Sequence, residues 1–199
     1  MTTIIASRTA VVVFAILLGL TFVPIATADC DESLKATVAP HGSSIQGSAE
    51  LCIDEGQVTT TMQTENLTPG NVYTIWFAYI DDPTKCGTYA GGTRGVCGDA
   101  DFIMPAESPI GVFGRMDGTI AGKSGRARFT GKFRDLRFSH GSMVWLIMFG
   151  HGSASATDNR LLARQLLTPQ LPVLGAPGLG ATGDGPAGHG VALSIFNIP

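Results

Sequence analysis

The chain has 199 residues, 13 Lys and Arg against 16 Asp and Glu, and a formal net charge of −3. This mildly acidic balance argues against nucleic acid as a partner, which wants a basic face. With 26 Gly, 11 Pro and 15% charged residues, the composition suits a turn-rich β protein long enough for one domain with a real core.

The first predicted element is an export signal over residues 1–28. Arg8 is its only charge, an apolar run covers 10–23, and Ala26-Thr27-Ala28 supplies the small-x-small pattern of a signal peptidase site. The run is shorter than the roughly 18 residues of a membrane span. Asp29 precedes Cys30 where lipid attachment needs a small residue, and no twin-arginine pair is present. The expectation is a mature chain of 29–199, exported by the general secretory route to the periplasm or the exterior, with no transmembrane span.

In the mature chain period-2 patterning dominates. Ala49, Leu51 and Ile53 alternate with Ser48, Glu50 and Cys52, predicting a half-buried strand. Asp54-Glu55-Gly56 then turns into a Thr-rich strand over 57–65, completing a hairpin. A turn cluster at 66–71 leads to 72–80, apolar on both faces, which predicts a mid-sheet strand with its second side covered. Residues 81–101 form a polar, glycine-rich excursion. Over 126–134 Ala127, Phe129 and Phe133 point in, while Arg126, Arg128, Thr130, Lys132 and Arg134 point out. Residues 143–149 are the natural partner of 72–80. Residues 159–167 suit a short helix or a strand equally. A Pro/Gly-rich stretch over 168–190 reads as a functional loop or a tether, and 191–198 as a closing strand. Eight to ten short strands predict an all-β sandwich in one domain.

Four cysteines, Cys30, Cys52, Cys86 and Cys97, lie in the mature chain. An even count in an exported protein predicts two disulfides, with three pairings open. The two short loops, Cys86–Cys97 and Cys30–Cys52, are favoured over a zinc site, since no C-x-x-C or H-x-x-x-H spacing is present.

A likeness running through most of the mature chain is carried by the segments Leu67-Thr68-Pro69-Gly70-Asn71-x-Tyr73-Thr74, Gly114-Arg115-Met116-Asp117-Gly118, Gly125-Arg126-Ala127-Arg128-Phe129 and Ala163-Arg164-Gln165-Leu166-Leu167-Thr168-Pro169. In these the chain resembles a group of uncharacterised secreted bacterial β-sandwich proteins. More distantly, the order of elements is similar to the chordin-type (CHRD) domain and to the copper-zinc superoxide dismutase sandwich. The resemblance implies a Greek-key-like β-sandwich with loops at both ends, and no activity. Dismutases carry an H-x-H pair on the strand after the L-x-P-G turn; here that strand has Val72, Thr74 and Trp76 and no histidine.

Three of the four histidines sit in identical His-Gly-Ser tripeptides at His41, His140 and His151. One reading is a metal cluster, in which His140 and His151 flank the 143–149 strand and Met143 and Met148 add thioethers suited to Cu(I). That strand spans roughly 20 Å, however, so its ends cannot share an ion. Turn chemistry is the favoured expectation, with no cofactor. No G-x-S-x-G nucleophile turn occurs, and Gly122-Lys123-Ser124 lacks the earlier Gly of a phosphate loop, Asp117 standing in its place. Asp81, Asp82, Asp99 and Asp101 do not follow EF-hand spacing. Asn66-Leu67-Thr68 is a glycosylation sequon, and Leu171-Pro172-Val173-Leu174-Gly175 misses a sortase signal at Leu174. The outward stripe Arg126, Arg128, Lys132 and Arg134, extended by Arg137, is a candidate site for an anion such as an acidic glycan or lipid headgroup, with a plain solvated face that keeps the protein soluble the favoured expectation.

The sequence is read as a secreted, non-catalytic binding or interaction domain for an extracellular or envelope ligand (protein, glycan or lipid surface), with the excursion over 81–101 and the loop over 168–190 as its expected working surfaces. One alternative is an exported copper- or zinc-binding protein or metal-dependent enzyme using His140, His151 and Met148. Another is a structural component of the cell envelope.

Overall fold

The computed structural model describes residues 30–54, 56–87, 97, 101, 109–167 and 189–199. The predicted export signal, most of the excursion after residue 87 and the Pro/Gly stretch over 168–188 lie outside the described residues.

Among the described residues eight strands, β1 (Glu32–Pro40), β2 (Gln46–Asp54), β3 (Gln57–Glu65), β4 (Asn71–Ile80), β5 (Ile110–Ile120), β6 (Ala127–Arg134), β7 (Met143–Ser153) and β8 (His189–Asn197), are joined by one helix, α1 (Asn159–Leu167), and a 3₁₀ turn at Pro83–Lys85. All pairings are antiparallel, in the order β5-β4-β7-β8-β1-β2-β3-β6. The chain is therefore all-β. β1, β2, β3 and β6 make one layer, and β5, β4, β7 and β8 the other. The layers join at a corner where β1 and β8 share only Ala39↔Leu193 and Pro40↔Ala192. The connections β3–β4 and β6–β7 cross between layers, giving Greek-key order.

Between the layers lies one core, with Val38, Leu51, Val58, Met62 and Phe129 from the first and Ile75, Phe77, Leu146, Met148 and Phe196 from the second. The predicted hairpin is β2–β3, paired from Gln46↔Glu65 to Asp54↔Gln57. The two-faced apolar strand is β4, buried from Val72 to Ile80 between β5 and β7. Its predicted partner β7 runs on to Ser153, which places His151 inside the strand.

The far edges, β5 and β6, approach without a backbone ladder, and side chains close the seam. At the register shift between Ile75↔Asp117 and Trp76↔Arg115, Met116 is left unpaired as a bulge. Met116 is buried, and Asp117 Oδ2 accepts the Thr130 amide across the gap at 3.1 Å. Thr60 Oγ1 donates to Met116 Sδ.

Residues 159–167, open between helix and strand on sequence, form α1. Asp158 decides it as the N-cap, its Oδ1 accepting the amides of Arg160 (2.8 Å) and Leu161 (3.0 Å). Both disulfides take the short-loop pairing, Cys30–Cys52 and Cys86–Cys97, with Cα separations of 5.5 and 4.6 Å. Among the described residues no helix is long and apolar enough to cross a membrane.

Candidate functional site

The outer face of the β1-β2-β3-β6 layer is polar throughout. Register lays its side chains in rows: Thr37, Ser48, Gln63 and Arg128; then Lys35, Glu50, Thr61 and Thr130; then Ser33, Cys52, Thr59 and Lys132; and at the far end Asp54, Gln57 and Arg134. Arg128, Lys132 and Arg134 are exposed on the margin formed by β6. Alternate residues lie about 7 Å apart along a strand, so these cations form a rigid line roughly 20 Å long. Arg126, just before the strand, stands 3.8 Å from Glu65. Among the described residues Arg128, Lys132 and Arg134 have no ion-pair partner. Arg137 does not continue the line. The chain turns at Asp135 (φ 60°), and Arg137 lines a separate recess with Glu32 and His140.

At the upper end of this face a groove of about 580 Å³ is lined by Gly47, Ser48, Gln63, Glu65, Arg126 and Arg128, among others. Its floor is bare backbone because Gly47 has no side chain; a Cβ there would stand 1.9 Å from Gln63 O. A smaller depression of about 190 Å³ shares Ser48 and Gln63 and adds Lys35, Glu50 and Thr61. Glu65 is held by Gln46 Nε2 (2.9 Å), and Glu50 by Ser33 Oγ (2.7 Å).

The outer face of the second layer is different. Trp76, Ala78, Ile80 and Trp145 are buried on it, with Trp76 stacked on Phe113 at 5.2 Å. At one end the face turns polar under α1. His151, 1% exposed, has Nε2 2.8 Å from Thr74 Oγ1, which also accepts Trp76 Nε1 at 3.1 Å. Gln165 of α1 seals the cluster, its Nε2 donating to the carbonyls of His151 (3.1 Å) and Ser153 (2.9 Å). Arg115 Nε donates to Leu166 O at 2.6 Å and ties α1 to β5. Among the described residues His151 Nδ1 has no hydrogen-bond partner. Burial pushes the imidazole from its ordinary 6.5 down to about 4.

The structure does not bring the candidate metal ligands together. His140 is exposed at a turn before β7, His151 is buried on the outer face near its end, and Met148 points into the core between the layers. Among the described residues no three His, Cys, Asp or Glu side chains are grouped around a common point. His41 and His140 fit turn chemistry; His151, inside a strand, does not.

The excursion's carboxylates that fall among the described residues have local work. Asp81 accepts the hydroxyls of Ser139 and Tyr79, which hold its carboxyl below the usual range. Asp82 caps the 3₁₀ turn and is likewise lowered, first by the Thr84 hydroxyl. Asp101 is buried and accepts the Gly87 amide at 2.8 Å. Asp99 lies outside the described residues. Ser142 is buried and Ser153 exposed, one at each end of β7.

The stripe was legible from alternation alone. The Thr74–Trp76–His151–Gln165 cluster was not, because only the β4–β7 register brings residues 77 positions apart into contact. Its sequence signal is that Thr74 and Trp76 carry polar groups in equal phase, on the face of the strand opposite Tyr73 and Tyr79. Comparison of the chain with protein-family models, with curated proteins and with solved structures finds no match.

Proposed function

We propose that the protein is a non-catalytic binding domain acting outside the cytoplasm, and that it holds an anionic partner along β6. The observation that carries this reading is the line of Arg128, Lys132 and Arg134 on one rigid margin, without carboxylate partners among the described residues, in a chain whose net charge is negative. Exposed cations repel one another, and a negative ligand relieves that repulsion. The extracytoplasmic setting is supported by two disulfides and by the signal-like pattern of residues 1–28. Kinship with CHRD-type and dismutase-type sandwiches belongs to the same proposal and concerns the frame, which does not carry chemistry with it.

The test is titration of the oxidised full chain with dextran sulfate, a generic polyanion, at low salt. At roughly 0.5 kcal/mol for each exposed contact, replacing Arg128, Lys132 and Arg134 together by Gln weakens binding about tenfold. Unchanged affinity in the triple variant would remove β6 as the binding surface.

A further inference from the structure

We infer that the anionic partner is an acidic polysaccharide, a polymer of hydroxylated rings with spaced carboxylates, and that one of its rings seats in the groove between Gly47, Gln63 and Arg128. This inference rests on the β6 reading above and adds the class of ligand. The groove's volume, about 580 Å³, falls within the range of small-molecule sites. Arg126 and Arg128 stand on one side of it as planar forks matched to a carboxylate.

The neighbours of those arginines separate the candidate ligands. Ser48 and Gln63, which have no hydrogen-bond partner among the described residues, are neutral groups able both to donate and to accept. Glu65 and Glu50 lie on the same track as acceptors only. A ring with several hydroxyls satisfies both kinds of group while its carboxylate meets an arginine. A polyphosphate, all acceptor and densely charged, has nothing to donate to Glu50 or Glu65 and is repelled by them. An anionic membrane meets the same two carboxylates, and the rows of this face present no apolar side chain to insert. The absence of an aromatic platform from those rows makes the complex dependent on hydrogen bonds and charge, hence weakened by salt.

The experiment is calorimetric titration of the oxidised full chain, at low salt, with polygalacturonate oligomers, their methyl esters, sodium polyphosphate and phosphatidylglycerol vesicles. The expected result is tightest binding to polygalacturonate, with the ester, the polyphosphate and the vesicles each about tenfold weaker. Arg128→Gln lowers polygalacturonate affinity about tenfold, and Gln63→Ala lowers it roughly threefold while leaving polyphosphate unchanged. Unchanged thermal midpoints in both variants show that the fold is intact. Polyphosphate or vesicles binding as tightly as polygalacturonate, with loss in Arg128→Gln, overturns the saccharide and leaves the basic margin standing. Polygalacturonate binding indifferent to both substitutions overturns the groove. No binding to any of the anions overturns the margin as well.

Discussion

Around Thr74 Oγ1 and the His151 ring, the donors outnumber what the site can accept. The Trp76 indole donates to Thr74 Oγ1 at 3.1 Å, and His151 Nε2 lies 2.8 Å from the same oxygen. If the ring proton is on Nδ1, the threonine hydroxyl pairs with Nε2 and the Nδ1–H has no acceptor among the described residues. If it is on Nε2, the hydroxyl proton is the one left over. A second ring proton adds a charge and another donor to a buried site. The facing groups offer it no help. β4 contributes the neutral Val72, Thr74 and Trp76, β5 the cationic Arg115, and α1 the amide of Gln165. The imidazole titrates near 6.5 in the unfolded chain and at about 4 in the folded one. The unfolded state therefore takes up a proton first. This group costs nothing above pH 6.5, destabilises the fold progressively from 6.5 down to about 4, and adds no further loss below that. The total is about 3 kcal/mol. Urea denaturation between pH 7 and pH 4 should show this loss in the parent and a correspondingly shallower one in His151→Phe. Equal acid slopes in the two proteins would mean that another group titrates.

Among the elements, those with clean alternation or a dense apolar run were readable, and those whose apolar pattern was diluted or shifted in phase were not. β2, β3 and β6 alternate cleanly, and β4 and β7 are apolar on both faces, so their places followed from pattern alone. β5 was missed because Gly111, Gly114 and Gly118 dilute its side chains and the Met116 bulge reverses its phase halfway along. β1 was missed because its inward residues, Leu34, Ala36 and Val38, make a weak stripe. The same bulge makes β5 essential to the fold, since Met116 and Asp117 close the seam against β6. Gly131 leaves the space that Met116 fills, and a Cβ there would stand 2.3 Å from Met116 Cγ. Gly131→Ala should therefore cost about 2 kcal/mol by overpacking, seen as a lower urea midpoint. Met116→Ala in the same chain should recover part of that loss. A double variant no better than the sum of the two singles would show that the seam is held elsewhere.

For the whole molecule, the question is whether anion binding follows total charge or its placement. The formal charge is −3, so long-range attraction to a polyanion is absent and any binding must come from a local field within about one Debye length, roughly 10 Å at 0.1 M salt. Legibility divides along the same line. The β6 cations were visible because alternation places them on one face, whereas the groove beside them needed the β2–β3–β6 register that sets Ser48, Gln63 and Arg128 in one row. Two triple variants of identical net charge separate the effects. One replaces Arg128, Lys132 and Arg134 by Gln; the other replaces Lys85, Lys123 and Arg160, which are exposed and lie outside the four-stranded polar face. If placement governs, the first loses polyanion binding about tenfold and the second stays within roughly twofold of the parent. Raising the salt should then bring the parent down toward the first variant and leave that variant almost unchanged, because screening removes only what the margin supplied. Equal losses in both variants would instead make the line of cations a solvated edge that keeps β6 from pairing with other chains.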